Sequence, residues 1–140
     1  MKDTELKRMR DEALYDVYLK GLEAGAFTSL QEAADYVSMH QAPQYFIEAK
    51  KVSGYMGMIE AHVSLIALNS ASRRRVWKLY AEYKIWRAAH PESKLTRERV
   101  CELLVDEPAP EFYLKPDSVR LIIQRMRRTK RDDKLRRLER

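Results

Sequence analysis

The chain has 140 residues with 27 basic and 21 acidic side chains, a net charge of +6, a length that suits one ordinary domain or two small cores sharing an interface. The single Cys101 excludes an internal disulfide, no apolar run approaches the ~20 residues of a membrane span, and no apolar h-region follows Met1-Lys2-Asp3-Thr4-Glu5. These features lead us to expect a soluble, cytoplasmic protein.

Apolar spacing is helical almost throughout, interrupted by only four Gly and five Pro. A first helix is predicted over residues 4–23, with Leu6, Met9, Leu14, Val17, Tyr18 and Leu22 near its apolar stripe and Gly25 ending it. Ser29-Leu30-Gln31-Glu32 is a capping box that starts a second helix over 30–39. Pro43 breaks it, because proline brings no amide and disfavours helical geometry at Ala42. Tyr45-Phe46-Ile47 reads as a short extended segment, followed by a third helix over 49–68. Asn69-Ser70 caps a fourth helix that carries Val76, Leu79, Tyr80, Tyr83 and Trp86 as far as His90-Pro91. Thr96 caps a fifth helix over 97–105, which Glu107-Pro108-Ala109-Pro110 breaks. Phe112-Tyr113-Leu114 is again extended, and Pro116 and Asp117 open a sixth helix with Val119, Ile122, Ile123 and Met126 facing inward. Beyond Met126 that stripe stops, so the helix is expected to project as a basic extension with a frayed end.

The chain says nearly the same thing twice, 67 residues apart. Ala42-Pro43-Gln44-Tyr45-Phe46-Ile47 returns as Ala109-Pro110-Glu111-Phe112-Tyr113-Leu114, and Val52, Tyr55, Met56 and Ile59 fall on Val119, Ile122, Ile123 and Met126. The expected fold is therefore all-α, a tandem internal repeat of three-helix units, about six helices in all, with short extended segments at 45–47 and 112–114. The expected organisation is a first repeat over 1–68, a second over 69–126 packed on it, and a basic C-terminal extension over 127–140. The two triplets either pair antiparallel across the halves or plug into their own half; the sequence leaves both open.

No enzymatic signature is present: there is no Gly-rich phosphate loop, paired-Cys motif, His-Glu-x-x-His or nucleophile elbow. His40 and His90 lie at helix ends, where contact with the last carbonyls is the simpler explanation. Cys101 aligns with Ala34 and reads as a small buried residue. A non-enzyme without cofactor or metal is expected. The positive charge is concentrated: nine basic and three acidic residues fall in 124–140, leaving eighteen of each sign in 1–123. A neutral body with a basic end suits a protein that touches a polyanion. Arg73-Arg74-Arg75 occupies the first turn of the fourth helix, where its charge opposes the helix dipole, a placement that a bound phosphate would reward.

The repeated plan of helix, helix, turn and longer helix resembles the helix-turn-helix class of small DNA-binding proteins, with about eight residues between the helices where that class uses three or four. The resemblance implies a third or sixth helix that meets bases, through Lys50 and Lys51 or Ser118 and Arg120. The expected phosphate contacts are Arg73, Arg74, Arg75, Arg125, Arg127, Arg128, Lys130, Arg131, Arg136 and Arg137. The expected partner is nucleic acid, duplex DNA first, with no membrane, and with a protein partner or a homodimer as a further possibility. The expected setting is a bacterium, phage or mobile element, and the alternative function is a protein-interaction or assembly module with a solubilising tail.

Overall fold

In a computed structural model, which describes residues 2–140, the chain is all-helical: α1 (Asp3–Glu23), α2 (Leu30–Ser38), α3 (Ala49–Glu60), α4 (Ser70–Ala89), α5 (Arg97–Leu104) and α6 (Pro116–Leu138). The described residues contain no β-strand. Local chemistry sets the helix starts. Ser29 Oγ accepts from the Glu32 amide at 3.1 Å, while Glu32 reaches back to the Thr28 amide at 2.9 Å. Asn69 and Thr96 do the same for α4 and α5, at 2.9 Å from Ser72 N and 3.2 Å from Arg99 N. Each bond satisfies one amide that the first turn leaves without a helical partner. Pro116 opens α6, with Asp117 in its first turn.

The ends differ more from expectation. α3 stops at Glu60, eight residues before the predicted 68. His62 adopts a left-handed φ of 59°, which lets His62 N donate to Ile59 O at 3.0 Å and Val63 N to Met58 O at 2.8 Å. This paired turn closes the last carbonyls and terminates the helix. Gly25, φ 69°, ends α1 in the same manner, with Ala26 N donating to Gly21 O at 2.9 Å. α6 runs on past Met126 as a basic helix and ends at Leu138.

Neither aromatic triplet is extended throughout. Phe46 has φ 51° and Tyr113 φ 57°, so the middle residue of each is left-handed. A bulky residue there is strained by about 1–3 kcal/mol, and burial offsets the cost: both rings are largely buried, as are Tyr45, Ile47 and Phe112.

The chain groups into two compact units that cut across the expected halves. The first comprises the residues up to Lys7 with Pro43–Ala109. Here α3, α4 and α5 pack on one another around Val52, Met56, Val76, Leu79, Val100 and Cys101, all fully buried. Cys101 Sγ lies 3.7 Å from Met56 Sδ. Arg97 ties α5 to α3, donating to Glu60 Oε1 at 2.6 Å and Ser53 Oγ at 3.2 Å. Gly57 leaves it room, since a Cβ there would come within 2.8 Å of the guanidinium.

The second unit comprises Arg8–Ala42 with Pro110–Arg140. α2 packs against α6, burying Ala33, Ala34 and Val37 on one helix and Val119, Ile122, Ile123 and Met126 on the other. α1 adds Leu14 and Tyr18, and the Tyr18 ring stacks on Phe27 at 5.6 Å. Leu22, placed on the apolar stripe by its spacing, is exposed. Each unit thus takes its third helix from the other half of the sequence. The chain changes unit within α1 after Lys7, and again at Ala42-Pro43 and Ala109-Pro110, in the loops that follow α2 and α5.

Candidate nucleic-acid interface

α6 is the longest helix, 23 residues, and its apolar stripe seats only its first half in the second unit. At about 100° per residue, the buried positions 119, 122, 123 and 126 leave an adjoining exposed side carrying Arg120, Gln124, Arg127, Arg131 and Lys134, with Arg128 beside them. Asp132 and Asp133, which follow Arg131 in sequence, fall off this stripe.

α1 holds the outer half of α6 by charge. Asp11, only 8% exposed, accepts from Arg125 and is gripped on its other oxygen by Arg10 at 3.0 Å. Farther out, Glu12 lies 3.4 Å from Lys130. Tyr15 then meets Gln124, Arg127, Arg128 and Arg131 to line an open groove of about 520 Å³. Burial raises the Tyr15 hydroxyl above its ordinary pKa and neighbouring Tyr18 adds to this, while Arg127 and Lys130 pull the other way. The acids nearest the groove on α1 are thus engaged with Arg10, Arg125 and Lys130. Arg136 pairs with Asp133 at 3.7 Å. Among the described residues Arg120, Arg127, Arg128, Arg131 and Arg137 form no ion pair.

Lys50, Lys51, Arg73, Arg74 and Arg75 lie in the first unit. Arg73 donates to Leu68 O at 2.9 Å and Arg75 to Tyr45 O and Phe46 O, both at 3.4 Å. Two of the three arginines therefore serve the backbone of their own unit, which accounts for their position against the helix dipole without a bound phosphate. Arg74 is exposed, with Nη1 3.5 Å from Ser70 Oγ. Lys51 faces Asp3 at 3.9 Å. Lys50 lines a groove of about 340 Å³ with Glu48, Glu98, Glu102 and Asp106, a negative setting that repels a phosphodiester chain. Ser118 is half-buried and Arg120 exposed at the start of α6. Of the fourteen candidates, the structure brings Arg127, Arg128 and Arg131 to this groove and Lys130, Arg136 and Arg137, with Asp133 and Arg140, to another of about 470 Å³. It adds two residues the sequence reading passed over, Tyr15 and Gln124. The only signal for Tyr15 was its place one turn after Asp11-Glu12 on α1.

The histidines have structural roles. His90 Nδ1 lies 2.9 Å from Trp86 O, a carbonyl of its own last turn, and His40 Nδ1 lies 2.7 Å from Gln41 O. Cys101 is fully buried, and burial pushes its thiol up to about 11 against the opposing pull of Arg97. Among the described residues no group of three or more His, Cys, Asp or Glu could hold a metal ion, and no helix is long and apolar enough to cross a membrane. No protein-family model, curated protein or solved structure matches the chain.

Proposed function

We propose that this protein is a non-enzymatic DNA-binding protein, regulatory or architectural, that meets the duplex with the exposed basic side of α6. The observation that carries the reading is the set of guanidiniums at 120, 127, 128 and 131, on one side of a single helix, with no acid paired to them. Clustered like charges repel in the free protein, and a polyanion relieves that repulsion while releasing its own counterions. Arg125, Lys130 and Arg136 already have acidic partners and contribute to the surrounding field more than to direct contact. Ser118 and Arg120 are the candidates for base edges, as the resemblance to helix-turn-helix proteins implies. Arg74 is the exposed member of the 73–75 cluster.

Anisotropy titrations of the full chain against duplex DNA, single-stranded DNA and RNA at two salt concentrations test this. Replacing Arg127, Arg128 and Arg131 with Gln should weaken binding to every sequence and flatten the salt dependence by about 0.9 in the log–log slope for each duplex phosphate that the variant no longer neutralises. A weakening confined to one preferred sequence would instead indicate base contact. Absence of binding at low salt to all three would remove the reading. The assembly-module alternative then gains, and it has its own support: Met39, Ile66 and Ile85 are 82%, 81% and 64% exposed.

A further inference from the structure

We infer that the groove between α1 and α6 in the second unit is a fixed seat for one phosphate group of the nucleic-acid backbone, with Tyr15 and Gln124 as neutral donors beside the Arg127, Arg128 and Arg131 guanidiniums. The inference rests on the nucleic-acid reading and deepens it, because a diffuse basic surface and a built seat behave differently. Gln124, Arg127, Arg128 and Arg131 stand at i, i+3, i+4 and i+7, so their side chains leave one face of the helix over two turns. Tyr15, from a different helix, forms the opposite wall. That wall is held in register by two ion pairs from the turn preceding Tyr15, Asp11 to Arg125 and Glu12 to Lys130.

The same pairs remove the acids that would otherwise neutralise the groove. Asp16, the next acid along α1, is occupied by Lys20 at 3.2 Å. Three positive forks, a phenol and an amide therefore converge on a concave surface whose lining includes no acid. A tetrahedral oxyanion suits this donor set: arginine presents paired N–H groups that match two phosphate oxygens, and a phenol O–H serves a third. A planar carboxylate would leave donors unused. Duplex DNA is favoured as the source because the seat lies within the longer basic run from Arg120 to Lys134, which parallels a chain of phosphates better than a single small anion.

The decisive substitution changes no charge. Tyr15→Phe keeps the ring that packs on Tyr18 at 5.6 Å and removes only the hydroxyl. In the full chain, binding to a fluorescent 20-base-pair duplex of arbitrary sequence should weaken by about three- to tenfold, with the salt slope unchanged. Arg127→Gln and Arg131→Gln should each weaken binding more than Arg137→Gln, which removes the same charge outside the groove. A thermal melt of each variant separates loss of the seat from loss of the fold. Wild-type affinity for Tyr15→Phe, together with equal losses for the three arginine variants, would overturn the seat while leaving the nucleic-acid reading intact. If the wild-type chain binds no duplex, the functional reading fails. The seat is then decided by inorganic phosphate alone: a saturable shift of the Tyr15 ring resonances that Arg131→Gln abolishes upholds it, and no saturable shift overturns it.

Discussion

α3 and α6 occupy equivalent places in the sequence pattern. Each follows a buried aromatic triplet whose central residue is left-handed, and each seats an apolar stripe against a short capped helix, α5 for one and α2 for the other. α3 then stops at Glu60 on the turn made by His62. α6 continues twelve residues past Met126, its last buried apolar position, with only Leu135 and Leu138 among polar side chains. The difference teaches that stripe and length are separate matters. Apolar burial fixes where either helix sits, whereas beyond Met126 α6 meets α1 through an ion pair, Lys130 to Glu12. Freed from packing, that half can be composed for contact with something else.

The largest expected effects test the shared part. Met56 and Ile123 are fully buried at aligned positions, so Met56→Ala and Ile123→Ala should each destabilise by about 2–5 kcal/mol in chemical denaturation. Leu135, 51% exposed, should cost no more than about 0.5 kcal/mol when truncated to Ala. A Leu135→Ala loss that matches Ile123→Ala would place the outer half of α6 inside the core and break the comparison.

A smaller effect addresses what holds the extension. Asp11→Ala removes a carboxylate gripped by Arg10 and Arg125. Charged hydrogen bonds are worth about 1.5–3 kcal/mol, and the exposure of Arg125 discounts this to about 1–2 kcal/mol. Amide exchange should quicken beyond residue 127 and stay unchanged in α3. Equal quickening in both helices would show that Asp11 supports the whole fold.

The caps should give matched losses. Ser29→Ala and Thr96→Ala each remove one side-chain acceptor from a first turn, at about 1 kcal/mol apiece by thermal or chemical melts. A large disparity would mean that α2 and α5 do not play equivalent parts in their units.

A pH-dependent effect concerns Cys101. Its thiol ionises near pH 9 when unfolded and at about 11 when folded. Between those values the folded state keeps a proton that the unfolded state has lost, so stability should decline as pH rises from 9 toward 11 and be unaffected below 9. At pH 8 a thiol reagent should label the native chain only as fast as it opens. Immediate labelling would place the thiol at the surface.

Much of this fold was legible because it depends on neighbours in sequence. Ser29, Asn69, Thr96 and Pro116 mark helix starts through bonds spanning three or four residues, and the stripes at 52 and 56 and at 119 and 123 follow from helical period. The early end of α3 was not legible, since a histidine and not a glycine takes the left-handed position. Nor could the pattern assign third helices to units: Val52 and Met56 satisfy the same spacing as Val119 and Ile123, so either stripe fits either partner. Of the candidate site, the arginines were visible as composition. Their sorting into engaged and unengaged groups depends on Asp11 and Glu12, more than a hundred residues away, and so does the role of Tyr15.

The exchange of third helices also orders events on the ribosome. A nascent chain that has grown past Ala109 already holds α3, α4 and α5, every helix packed in the first unit. α1 and α2 are older, yet their buried face waits for α6, the last of these six helices. Domains of a growing chain usually mature from the N-terminus; here α3, α4 and α5 mature before α2 and most of α1, which precede them. Through that interval Leu14, Ala33, Ala34 and Val37 are without the helix that covers them, and closing the second unit joins segments more than a hundred residues apart. Such distant closure slows folding, and it makes the docking of α6 the step that creates the α1–α6 groove.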